Sequence, residues 1–125
     1  MGQIPERRNR PGLGNVPDLL ERRIPGSVAH AVKDADTLFG VELPAVAEWA
    51  FGPEQAAAIR CPVLSVLGTD TLPLFVEVAE FLRSSVPHVE DCTIDGVGHL
   101  LHIQRPEPVA RALAGFLGDS PVAGG

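Results

Sequence analysis

The stretch Cys61-Pro62-Val63-Leu64-Ser65-Val66-Leu67-Gly68 decides how this chain is read. It is a short, nearly continuous apolar run bounded by Pro and Gly. A strand buried on both faces of a parallel sheet has that pattern. Downstream, Gly68–Pro73 reads as a turn. Residues 74–85 form an amphipathic helix, with Phe75, Val78, Ala79 and Leu82 inward and Glu77, Glu80 and Arg83 outward. Pro87 ends that helix. Residues 88–94 read as a second strand, interrupted by Glu90 and Asp91. Asp95-Gly96-Val97-Gly98-His99 is a glycine-punctuated loop. Residues 106–117 make the last helix, with Val109, Leu113, Phe116 and Leu117 on one face, and residues 119–125 a flexible tail.

Upstream of Cys61 there is no strand signal. Ser27 is placed to cap a helix over 27–39, whose Val28, Val32, Ala35 and Phe39 share one face. Gly40 reads as its stop. A second short helix is expected over 42–51. Gly52-Pro53 breaks it, and Pro53 suits the first turn of a third over 53–59. Residues 1–26 hold four prolines and four glycines, which leaves room for one short helix around Pro17–Arg23.

The composition bounds the possible functions. The 125 residues amount to one domain or part of one, with 45% apolar and 21% charged side chains, ordinary for a soluble globular protein. No window approaches the roughly 18 uninterrupted apolar residues of a membrane span. The net charge of −6 argues against nucleic acid as the main partner. It is unevenly spread, +2 over residues 1–23 and −8 over the remainder. The Arg-rich start has no apolar stretch behind its charges and is not a secretory signal; it reads as a solvated arm. Cys61 and Cys92 are too few for a disulfide scaffold and read as buried free thiols of a cytoplasmic protein. No Cys/His spacing resembles a zinc site, and no cofactor is expected.

Strand, helix, strand, helix over residues 60–118 implies two parallel strands joined by a right-handed crossover. Ligands of such sheets bind beyond the carboxyl ends of the strands. Asp70 follows the first of those ends and His99 the second. Neighbouring strands lie about 4.8 Å apart, so the two side chains would occupy adjoining loops. A carboxylate on imidazole Nδ1 fixes the tautomer and stabilises the imidazolium formed when Nε2 takes a proton. The pair would need a nucleophile within reach of Nε2.

Three landmarks come in a familiar order: Cys61–Asp70, then Asp95–Leu101, then Arg105-Pro106-Glu107-Pro108-Val109 with Phe116-Leu117. Over about 60–117 the chain resembles the C-terminal part of the α/β-hydrolase family. That family places an acid after one late strand and a histidine in a small-residue loop after the last. The resemblance implies a partial α/β-hydrolase fold, with His99 the general base, Asp70 the triad acid, and residues 27–59 akin to the helical cap the family often inserts. Asp70 stands two residues after Gly68, where the family often has three; a shortened turn would absorb the difference.

The family's nucleophile sits in a Gly-x-Ser-x-Gly elbow that precedes the acid. No such sequence occurs here. Ser65 falls mid-strand, Ser84 and Ser85 end a helix, Ser27 is a cap and Ser120 lies in the tail. The oxyanion-hole amides would be missing with the elbow. The chain therefore reads as a C-terminal hydrolase fragment, esterase-like but inactive alone. It would take a small ester-like substrate once an N-terminal half completes it. The alternative is a non-catalytic interaction module or a degenerate fragment. Uncovered sheet edges point to marginal stability and self-association. Asp95 reads as a loop-shaping residue, and His30, His88 and His102 as helix, strand or rim positions. Trp49 and Phe39 either line an acyl pocket or pack cap helices. Cys92 is a poor nucleophile, being mid-strand.

Overall fold

The computed structural model describes residues 16–119. Residues 1–15 and 120–125, and with them Ser120, lie outside the described residues. The chain is mixed helix and parallel sheet, as the strand–helix–strand pattern requires. Its first helices are α1 (Val16–Arg23), α2 (Ser27–Lys33) and α3 (Ala35–Thr37). A π-helical turn over Leu38–Glu42 then leads into α4 (Leu43–Glu48), and α5 (Pro53–Ala57) follows. The sheet-bearing part comprises β1 (Val63–Gly68), α6 (Pro73–Ser85), β2 (Val89–Ile94), α7 (Leu101–Gln104) and α8 (Pro106–Asp119).

β1 and β2 pair in parallel, in register from Val63 opposite Val89 to Gly68 opposite Ile94. Alternation along a strand puts Val66 and Cys92 on one face of this two-stranded sheet. There they join the buried Ile94, Val97 and Val109, so α8 closes that face. On the other face Asp91 takes the Arg83 Nε–H at 2.7 Å, which ties α6 to β2. That hydrogen bond and the charge of Asp91 raise the Arg83 guanidinium above its ordinary pKa. Asp91 weakened the strand pattern in the sequence, and here its carboxylate is satisfied by the neighbouring helix. The α6 residues Ala79 and Val86 (the latter just past its end) are buried, while Val78, expected inward, is exposed.

The N-terminal half departs from the sequence expectation in three ways. Gly40 does not stop a helix; it sits inside the π-helical turn, and the chain stays helical to Glu48. Val32 and Phe39, expected on a buried face, are 72% and 67% exposed. No core lies beneath that face, so helical spacing alone does not bury it. Ser27 does not cap α2. The N-cap is Gly26, in the left-handed region at φ 84°, a conformation glycine adopts without a Cβ penalty. Its N–H donates to the Glu21 carboxylate at 2.8 and 3.0 Å. Cys61, expected buried, is exposed, and Cys92 is half-buried; both are free. On α8, Val109 is buried as expected, but Leu113 and Leu117 are exposed. No helix among the described residues is long and apolar enough to cross a membrane.

Candidate functional site

The site is built at the carboxyl ends of the two strands, and the backbone knits their loops together. Past the last register pair, the Thr69 N–H donates to the Ile94 carbonyl at 3.0 Å. The Asp70 N–H donates to the Val97 carbonyl at 2.9 Å. The Thr71 N–H reaches back to the Gly68 carbonyl at 3.3 Å, closing a tight turn that holds Thr69 and Asp70. Gly68 is the point of closest approach: a Cβ there would overlap the Val97 carbonyl and stand 2.6 Å from the Gly98 carbonyl oxygen.

Side chains then fix the glycine loop. The Thr69 hydroxyl accepts the Gly96 N–H at 2.8 Å and donates to Asp95 Oδ1 at 3.2 Å. Gly96 itself has φ 71°. The Gly98 N–H donates to Gln104 Oε1 at 2.9 Å, and Arg105 Nη1 donates to the Asp95 carbonyl at 3.1 Å. Val97 is 2% exposed and plugs the loop into the core beside Ile94 and Val109. Asp95 thus shapes the loop, as its place before the glycines indicates.

The structure brings Asp70 and His99 onto adjoining loops at one rim of the sheet, both exposed. It does not join their side chains. The only ion pair among the described residues is Arg83–Asp91, and Asp70 and His99 share no hydrogen bond. The imidazole of His99 instead lies flat on the ring of Phe75, with centroids 3.8 Å apart and planes 7° from parallel. Phe75 is in the first turn of α6, four residues after Thr71, which closes the Asp70 turn. The acid-bearing loop and the helix that follows it therefore both meet the histidine loop.

Sequence reasoning missed Phe75 as a site residue, reading it only as part of the inward face of a helix. It also missed Thr69 and Gln104. Nothing in the spacing of Thr69 or Gln104 marks it, since each acts through a backbone amide of the glycine loop. Phe75 had a signal of a kind, being the aromatic in the first turn after the acid. Trp49 is 69% exposed and stacks on Phe51 at 5.4 Å, which in turn meets Phe81 edge-on at 6.1 Å. Phe39 is not part of that aromatic row. Of the serines, Ser65 is in mid-β1 and the Ser84 hydroxyl donates to the Phe81 carbonyl at 3.0 Å. Among the described residues no three His, Cys, Asp or Glu side chains converge to hold a metal ion. No protein-family model, curated protein or solved structure matches the chain.

Proposed function

We propose that this chain carries the acid and base of an α/β-hydrolase-type site, and that the nucleophile comes from outside these 125 residues. The observation that supports this reading most is the union of the two rim loops by the Asp70 N–H···Val97 carbonyl bond at 2.9 Å. It holds a carboxylate-bearing loop and an imidazole-bearing loop together at the carboxyl end of a parallel sheet, where such sheets bind ligands. In the reaction, His99 Nε2 would take the proton from an incoming hydroxyl or thiol as it attacks an ester carbonyl. Asp70 would accept a hydrogen bond from Nδ1–H and stabilise the imidazolium, which would then pass the Nε2 proton to the departing alkoxide as the ester C–O bond breaks. The Asp70 side chain must then turn toward His99, or the imidazole must leave Phe75, when the site is completed.

A second reading is favoured by the Phe75–His99 stack. There the imidazole packs on an aromatic ring and forms no pair with the carboxylate, as in a non-catalytic interaction module.

An esterase assay separates the two, run on the chain alone and on the product extended by any coding sequence upstream of Met1. The chain alone is expected to be inert. The extended product is expected to hydrolyse an activated ester and to lose about a thousandfold or more in kcat on His99→Ala, and a smaller factor on Asp70→Asn. Hydrolysis indifferent to His99→Ala sinks the proposal. An extended product that never turns over favours the interaction module.

A further inference from the structure

The two strands are guarded differently at their free edges. β2 carries Glu90 and Asp91, both exposed, and charges of that kind discourage a further strand from adding. β1 runs Val63-Leu64-Ser65-Val66-Leu67-Gly68 without a charged side chain. That is the make-up of an interior strand of a parallel sheet, yet among the described residues β1 has one strand neighbour, β2. Both faces of the sheet already carry helices, α6 on one and α8 on the other, so the open site on β1 is its edge.

We infer that the free edge of β1 pairs with β1 of a second copy of this chain, making a four-stranded sheet in the order β2-β1-β1-β2. A two-fold axis normal to the sheet runs the two β1 strands antiparallel and presents the same surface from each copy. That axis keeps every side chain on its own face, so facing residues must be an even number apart along the strand. Centred on Ser65, the register sets Ser65 against Ser65, Leu64 against Val66 and Val63 against Leu67. Every flanking pair is apolar, the central pair is two hydroxyls, and no like charges meet across the seam; pairs of these kinds stabilise sheets. The same operation on β2 would carry Glu90 and Asp91 into the seam. A second copy is therefore the occupant that β1 fits by its own chemistry. The pairing uses neither His99 nor Asp70, so a catalytically inert chain still dimerises.

Sedimentation of the full chain over a concentration series, with hydrogen exchange at each end of it, tests this. The expected result is a mass rising to twice 13.2 kDa. Amide protection should grow with concentration over Val63–Gly68 and stay flat over Val89–Ile94. Ser65→Lys sets two ammonium groups against each other at the axis and is expected to weaken the dimer about tenfold or more. Glu90→Gln is expected to leave it unchanged. The exchange measurement on the unsubstituted chain needs no variant, so it decides the matter even if Ser65→Lys fails to fold. A monomer throughout the series overturns the inference. So does a dimer whose concentration-dependent protection falls on β2 or on the helices of Leu38–Glu48.

Discussion

A methyl group on residue 68 would stand 2.6 Å from one carbonyl oxygen and 2.8 Å from a carbonyl carbon of the histidine loop. Both neighbours are backbone, so neither can swing aside as a side-chain tip would. The loop would have to lift. Lifting it unseats Val97 and lengthens the Asp70 N–H bond to the Val97 carbonyl. Gly68→Ala is therefore expected to destabilise the protein by about 1–3 kcal/mol, the range for overpacking a closely fitted site. A lower urea midpoint at unchanged slope would show this. An unchanged midpoint would mean that the loop is not seated as described. At this scale the sequence was half informative. The turn at Gly68 and the positions of Asp70 and His99 were readable, because strand ends and glycines punctuate a chain locally. The Phe75–His99 stack was not. It depends on side-chain torsions of residues 24 apart in sequence, and no periodicity reports those.

Among the elements, those with a core to face were legible to within about a residue. The apolar run ending in Gly68 is β1, which spans Val63–Gly68; the helix expected over 74–85 spans Pro73–Ser85. The single turn α7 was missed because four residues carry no period. The failures cluster over 27–48, where apolar residues fall at helical spacing and bury nothing. Gly40 misled for a physical reason: glycine stops a helix by taking positive φ just past the end, and Gly40 does not take it. Glycine inside a helix costs stability relative to alanine. Gly115 is inside α8 with nothing within 4 Å of where a Cβ would stand, and its φ is not positive. Gly115→Ala is expected to stabilise the protein by about 0.5–1 kcal/mol. A raised urea midpoint would show it; a lowered one would mean that the exposed face of α8 is occupied in solution.

Across the whole molecule, burial is lopsided. Helices α1 to α4 bury no residue, and α5 buries only Ala56. The remaining buried apolar residues, Ala79, Val86, Ile94, Val97 and Val109, all follow β1. Among the described residues no large side chain is fully enclosed. Helices shorter than about 12–15 residues are marginal in water without a packed face. Before β1 the longest helical run, Ala35–Glu48 through its π-turn, only reaches that limit, and α1 has eight residues. Local opening costs little where few apolar contacts must be broken, so the two halves should open separately. Native-state hydrogen exchange is expected to show the fastest amides over 16–57 and the slowest in β1 and β2. The separation should be about a hundredfold in protection, equivalent to about 2.8 kcal/mol. Dimerisation through β1 would widen this gap from the slow side, since it shields strand amides and leaves the helices untouched. Covering of the exposed apolar residues Phe39, Val41, Val46 and Trp49 would narrow it from the fast side. Uniform protection from Val16 to Asp119 would refute the two-part picture, because it requires the N-terminal helices to open only with the sheet.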